Sequence, residues 1–186
     1  MGRIGSTIDD RTRSFVEAQP VFFVATAPLD RDGHVNCSPK GNRREFLVTG
    51  ERQVMYLEQT GSGIETVAHL QENGRIVIMF CAFDGPPRIV RLHGRGRAAL
   101  AGSGDFAALR DRFPGGQDVG VRSVVVVDVE RIADSCGYGV PLMALQDHRP
   151  TMDEWASRKG PDGIGRYWAE KNGASLDGLP GLPAGG

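Results

Sequence analysis

The chain has 186 residues and a formal net charge of −1, with 40% hydrophobic and 24% charged residues, a balance that predicts one domain burying about 70% of its unfolded surface. With no basic run to track phosphates and no apolar run near the ~20 residues of a membrane span, nucleic-acid and membrane partners are excluded. The N-terminus lacks an apolar leader core, and Cys37, Cys81 and Cys136 are widely spaced without a CxxC pair, so a cytoplasmic chain with reduced thiols is expected.

In chain order, residues 9–19 carry acids in their first turn and set Ile8, Phe15 and Val16 on one side, which predicts a short helix stopped by Pro20. The β-branched and aromatic run 21–27 and the stretch 34–40 flank the turn cluster Pro28-Leu29-Asp30-Arg31-Asp32-Gly33 and predict an antiparallel hairpin. Further strands are expected at 46–48 and 54–57. Thr60-Gly61-Ser62-Gly63 then feeds a helix whose apolar stripe is Ile64, Val67, Ala68 and Leu70, with Ser62 as N-cap, His69 on the polar side and Asn73-Gly74 as the stop.

The continuous apolar run 76–81 predicts a strand covered on both faces. Residues 88–98 alternate as a long strand whose glycines suggest a bulge. Phe106, Leu109 and Phe113 predict a helix over 103–113, and 121–129 reads as the last strand. A loop follows at 135–141. Thr151 and Glu154 have capping-box spacing, Pro161 can open another helix carrying Ile164, Tyr167 and Trp168 on one face, and the Gly/Pro-rich tail from Ser175 is expected to be loosely held. Six or more strands joined by short turns predict a mainly β, α+β fold, an antiparallel sheet closing on itself with flanking helices.

Two stretches carry candidate chemistry. A small-residue loop feeding a helix N-terminus is either a ready anion site or a plain glycine-rich helix entry. Gly61 to Thr66 begins like a dinucleotide fingerprint but lacks its third glycine and any βαβ unit, which excludes a Rossmann site. Ser38-Pro39-Lys40-Gly41 ends a strand with one of only three lysines, the others being Lys159 and Lys171. Arg88 and Arg91 could share its task, the alternative being a solvated sheet face. His34, His69, His93 and His148 do not cluster, so no metal site is expected, and there is no GxSxG nucleophile.

Together, the hairpin 21–40, its SPKG end, the TGSG helix entry and the ENGRIVIMF strand resemble the FMN-binding split-barrel proteins related to pyridoxamine 5′-phosphate oxidase, over residues 15–132. The resemblance implies a single domain: a six-stranded antiparallel Greek-key split barrel, a C-terminal loop and helices over 133–174, and a flexible tail over 175–186. It also implies a homodimer with FMN in the cleft between subunits. The cofactor-binding residues it points to are Ser38, Pro39, Lys40, Thr60, Gly61, Ser62, Gly63, Thr66, Arg88 and Arg91. Lys40 matches the family's phosphate-binding lysine. Tyr138 is expected on the substrate side, because Gly137 and Gly139 let its loop approach closely.

Two departures steer the expected activity. Ile64, Glu65 and Thr66 stand where the family's oxidases carry a Ser-Arg-Lys triplet, and CGYGVP replaces the motif that reads the vitamin substrate. The expectation is therefore an FMN-dependent oxidoreductase of another small molecule. A deazaflavin-dependent reductase and a non-catalytic flavin or haem carrier are the alternatives. An FMN phosphate carries about −1.5 to −2 and a helix terminus offers about +0.5, so one or two cations must supply the rest. Lys40 is the first choice and Arg88 or Arg91 the second, with Ser62 and Thr66 as hydroxyl donors. Replacing Lys40 is expected to leave the stability of the ligand-free fold almost unchanged.

Overall fold

The computed structural model describes residues 3–41, 45–114 and 119–183. All seven stretches read as strands form strands, namely β2 (Val21–Thr26), β3 (Asn36–Gly41), β4 (Phe46–Gly50), β5 (Gln53–Gln59), β6 (Arg75–Cys81), β7 (Ile89–Leu100) and β8 (Val121–Ser135). An eighth, β1 (Arg3–Gly5), is too short to carry a pattern. The sheet is antiparallel and mainly β in class, with the order β3-β2-β6-β7-β8-β5-β4. Two hairpins flank a β6-β7-β8 meander, and each packs its second-drawn partner from a distant part of the chain, the Greek-key arrangement.

Two expectations need correction. The sheet does not close: among the described residues no ladder joins β3 to β4, so the curled sheet stays split between them. Among the described residues the strands number eight rather than six: the sequence pattern already gives seven, and the eighth, β1, finds a partner because β8, at 15 residues, outruns β5. Its first half pairs with β5 and its far end, Ile132 to Asp134, takes β1.

The inside of the curl is apolar. Alternation along β2 turns Phe22, Val24 and Thr26 inward, where Phe22 meets Phe46, Tyr56 and Phe80 at centroid distances of 5.4, 5.5 and 5.7 Å. Such aromatic pairs add about 0.5–1.5 kcal/mol each beyond area burial. The other face of β5 and β8 packs Met55, Leu57, Val124 and Val126 with Phe113. Cover on both faces explains why these strands read as near-continuous apolar runs. A register shift falls between His93 and Gly94, where a side chain would run into the Asp128 carbonyl, so the expected bulge is present.

Among the described residues, four helices flank the sheet. In α1 (Asp10–Ala18) the Asp9 carboxylate accepts from the Thr12 N–H at 2.7 Å. The helix α2 (Glu65–Glu72) starts later than its sequence suggests: its cap is Ile64, with no side-chain cap bond, so Ser62 is not the N-cap. Instead the Glu65 side chain folds back over Gly63, where a Cβ would strike its carboxylate. The helix does end at Asn73, followed by Gly74 at φ 69°. His69 is fully buried rather than on a polar side, because the sheet and the C-terminal tail both cover this helix.

Only 106–110 of the expected 103–113 helix forms, as α3 (Phe106–Arg110). The two expected C-terminal helices run together as α4 (Thr151–Lys171), broken at Gly160 (φ 64°, ψ 174°) just before Pro161. Its cap is Pro150 without a side-chain bond, so the Thr151–Glu154 capping box does not form. The described part of the tail, up to Pro183, is tied to the rest of the fold by hydrogen bonds. Leu182 N–H donates to the Asn172 carbonyl at 2.8 Å, Gly181 N–H to Gly173 at 2.9 Å, and Asp177 accepts from both the backbone and the ring of His34.

Candidate functional site

The period of two along β3 turns Asn36, Ser38 and Lys40 to one face. As β3 ends the sheet, Pro39 sits on an edge, where a missing N–H costs no ladder bond. That face forms one wall of a cleft of about 850 Å³. The loop Thr60 to Gly63, the first turn of α2, the end of β5, Arg122 and the segment from Leu145 to Asp153 make the rest. Ser38, Pro39, Lys40, Thr60, Gly61, Ser62, Gly63 and Thr66 all line it. Three stretches separated in sequence are thereby brought to one place.

A buried charge centre sits at its floor. Glu58 is 1% exposed, and its Oε1 accepts from Lys40 Nζ at 2.7 Å and from Arg122 Nη2 at 2.9 Å. Glu58 Oε2, Arg122 Nε, the Tyr56 hydroxyl and Ser123 Oγ are buried with no hydrogen-bond partner among the described residues. Burial works to raise the Glu58 carboxyl, but the charges and hydrogen bonds of Lys40 and Arg122 outweigh it and hold the group below its ordinary value. Burial, reinforced by the Glu58 charge against that of Arg122, drives the Tyr56 phenol well above its usual range. Tyr56 is therefore neutral beside an ionised carboxylate.

The glycine loop is fixed from behind. Asn172 Nδ2 donates to the Gly61 carbonyl at 3.0 Å and reaches that of Ser62 at 3.5 Å, while Arg122 Nη1 donates to Asn172 Oδ1 at 3.0 Å. Because N–H and C=O point oppositely across a trans peptide, the N–H groups of Ser62 and Gly63 are turned away from Asn172. Thr60 has a different part. Its hydroxyl donates to the Gly120 carbonyl and accepts from Trp168 Nε1 at 2.8 Å, so it anchors α4 to the loop.

On the α2 side, Asn36 Nδ2 donates to Thr66 Oγ1 at 3.0 Å and to Thr26 Oγ1 at 3.2 Å, and Thr26 Oγ1 lies 2.9 Å from His69 Nδ1. With its oxygen taken by Asn36, the Thr66 hydroxyl is oriented to donate. Burial lowers the His69 ring against the raising influence of Glu65, Asp177 and Glu72, so this polar chain ends in a neutral imidazole.

Arg88, Arg91 and Tyr138 are not among the described residues lining this cleft. Arg88 is bound to Asp134 by Nε at 3.0 Å and Nη2 at 2.8 Å and lies 4.5 Å over the Phe15 ring. Arg91 Nη1 donates to Ser135 Oγ at 3.1 Å. Tyr138 is 82% exposed. Within one chain, the guanidinium groups lining the cleft are those of Arg122, joined to Glu58, and Arg149. Reading 121–129 as a core strand hid Arg122, although a lone arginine in a valine run is the available signal; Glu58, two residues after Tyr56 on the same strand face, offered a similar one. Nothing local in the sequence marks Asn172.

The fold is that of a split-barrel protein, with a cleft beside the open side of its sheet. The family described as "Pyridoxamine 5'-phosphate oxidase" matches residues 8–136, and the chain belongs to that family. A curated relative, "Pyridoxamine 5'-phosphate oxidase family protein ustO" of Aspergillus flavus, is 38% identical over 190 residues, covering 95% of this chain and 76% of its own. Among solved structures, a Clostridium acetobutylicum protein related to general stress protein 26, of the pyridoxinephosphate oxidase family, aligns with a TM-score of 0.52 at 15% identity. The alignment covers 68% of this chain and 86% of that one. A FAD-binding protein from Mesorhizobium loti aligns at 0.48 and 13%, covering 72% and 96%. No helix among the described residues is long and apolar enough to cross a membrane.

Proposed function

We propose that the cleft binds FMN and that the chain is a flavin-dependent oxidoreductase acting on a small molecule. The observation that carries this reading is the convergence of Ser38–Lys40, Thr60–Gly63 and Thr66 on one cleft in a member of this family. Its volume falls within the 300–1,000 Å³ usual for cofactor sites. The donor set fits a phosphate monoester: the Lys40 ammonium, the Ser38, Ser62 and Thr66 hydroxyls, and the N–H groups of the loop. Lys40 takes the phosphate, Asn36 orients Thr66, and Asn172 with Arg122 keeps the loop in shape. Bound flavin would supply the redox chemistry, and the protein would orient the ring and exclude water.

The reading includes a homodimer whose second copy completes the cleft. Tyr138, Leu142, Met143 and Leu145 are 82%, 81%, 59% and 59% exposed along one extended segment that reaches the cleft at Leu145, an apolar run that a partner surface would cover. Arg88, Arg91 and Tyr138 then belong to the proposal only as groups that a second copy presents, with Tyr138 on the substrate side. Light scattering across a dilution series is expected to give a dimer; a cofactor-loaded monomer at every concentration would contradict it. The activity reading is tested by mass spectrometry of ligand released from the purified protein. FMN is the expected mass and a flavin band the expected spectrum. A deazaflavin mass or a Soret band would replace it.

A further inference from the structure

A carboxylate on the floor of a site meant for a phosphate calls for an explanation. Glu58 is almost completely enclosed, so it cannot rely on water for solvation and must be compensated by the protein. Both compensating cations meet one oxygen, Oε1, and Oε2 is left without a partner. The charged and titratable groups facing Glu58 are Lys40 from β3, Arg122 from β8 and the neutral Tyr56 from its own strand.

The two cations are not held alike. Arg122 is 4% exposed and also fastened to Asn172 and the Gly61 carbonyl, so its guanidinium is fixed with Glu58. Lys40 is 19% exposed at the cleft wall, on a flexible four-carbon stem, and its polar partner among the described residues is Glu58. It is the member that can exchange one anion for another. Two cations and one anion leave the group with a single net positive charge, too little to balance a phosphate dianion if Glu58 keeps Lys40.

We propose that Glu58 is an internal anion occupying the phosphate subsite: its carboxylate holds Lys40 in the free protein and yields it to the incoming phosphate. This rests on the reading of the cleft as a flavin-nucleotide site and adds a residue that sets its charge and its preference for phosphorylated over unphosphorylated flavin. Glu58 is a positioning residue, poising Lys40 while limiting how tightly any anion can bind. Its consequence is unusual for a buried group in a binding site: neutralising it strengthens binding.

The test compares FMN, inorganic phosphate and riboflavin on the stripped protein. With Glu58→Gln, FMN and phosphate are expected to bind about tenfold tighter, a change of the size that freeing one charge-assisted bond allows. Riboflavin, which has no phosphate, is expected to bind as in the wild type. Weaker FMN binding, or an equal change for riboflavin, would overturn the proposal. A second readout needs no variant to fold: in wild-type protein with ¹³C-labelled glutamate carboxyls, the buried Glu58 resonance should move on adding phosphate or FMN and stay still with riboflavin. A resonance unmoved at FMN saturation would equally overturn it. Wild-type protein that binds FMN no better than riboflavin would remove the phosphate site itself, and the role of Glu58 with it; a wild-type preference for FMN without any Glu58 effect would remove only the latter.

Discussion

Two arginine–carboxylate pairs, Arg88–Asp134 and Arg122–Glu58, sit in different surroundings and carry opposite meanings. Arg88 and Asp134 are joined through two nitrogens, and the guanidinium also touches Thr12 and lies over Phe15. With Asp134 partly exposed, the pair fastens α1 to the β7–β8 part of the sheet. Arg122 and Glu58 are more deeply buried, at 4% and 1% against 13% and 25%, yet keep unpartnered polar atoms beside a cleft. A pair that reaches from one element to another, as Arg88 does from Asp134 to Thr12, holds structure together. Capacity left over at the mouth of a curled sheet marks where a ligand belongs.

Stability separates the two pairs most sharply. Removing Arg122 leaves an enclosed carboxylate with Lys40 alone and releases Asn172 from the loop, so Arg122→Met is expected to cost about 3 kcal/mol. Arg88→Met should cost about 1–2 kcal/mol, since Asp134 can turn to water. Denaturant unfolding of both variants checks the order, and a reversed order would break the distinction drawn between the pairs. Lys40 itself is no longer expected to be neutral for the ligand-free fold. Its bond to Glu58 predicts a loss of about 1 kcal/mol in Lys40→Ala.

Acid sharpens the same contrast. Lys40 and Arg122 depress the folded Glu58 carboxyl against the effect of burial, so its contribution is complete above the unfolded value of about 4.3 and lost as pH falls through the folded one. Unfolding midpoints of the wild type should therefore drop more steeply below about pH 4.5 than those of Glu58→Gln. Parallel curves would show that the carboxylate is not held ionised by its partners. A smaller effect on the unfolding midpoint is expected at the tail, where His34→Ala removes the ring bond to Asp177 on an exposed surface. Protection of the Asp177 segment from hydrogen exchange would report it.

How far the sequence could be read depends on what local pattern encodes. Strand positions were legible because alternation and apolar runs reflect how each strand is covered, and Lys40 stood out in a chain that otherwise uses arginine. The period of two on β3 also placed Ser38 and Lys40 together, and Asn36 could have been added by the same rule. Arg88 and Arg91 belong to an alternating stretch that also carries Arg95 and Arg97, and Arg122 stands alone in a valine run, but neither pattern says which way a cation faces across the curl. Only the curl of the sheet decides which of them faces the loop at Gly61. His69 and the tail misled for a related reason: an amphipathic stripe implies one covered face, whereas Asp177, Leu176 and the tail glycines cover α2 from the other side. Gly and Pro content predicted looseness where long-range hydrogen bonds supply order.

The central claim is that Lys40 takes the phosphate of a flavin nucleotide in this cleft, and titration of FMN into stripped wild-type and Lys40→Ala proteins tests it most directly. Loss of one charge-assisted hydrogen bond, worth roughly 1.5–3 kcal/mol, should weaken FMN binding by about one to two orders of magnitude, with Lys40→Arg recovering only part of it. Equal dissociation constants for wild type and Lys40→Ala would contradict the account.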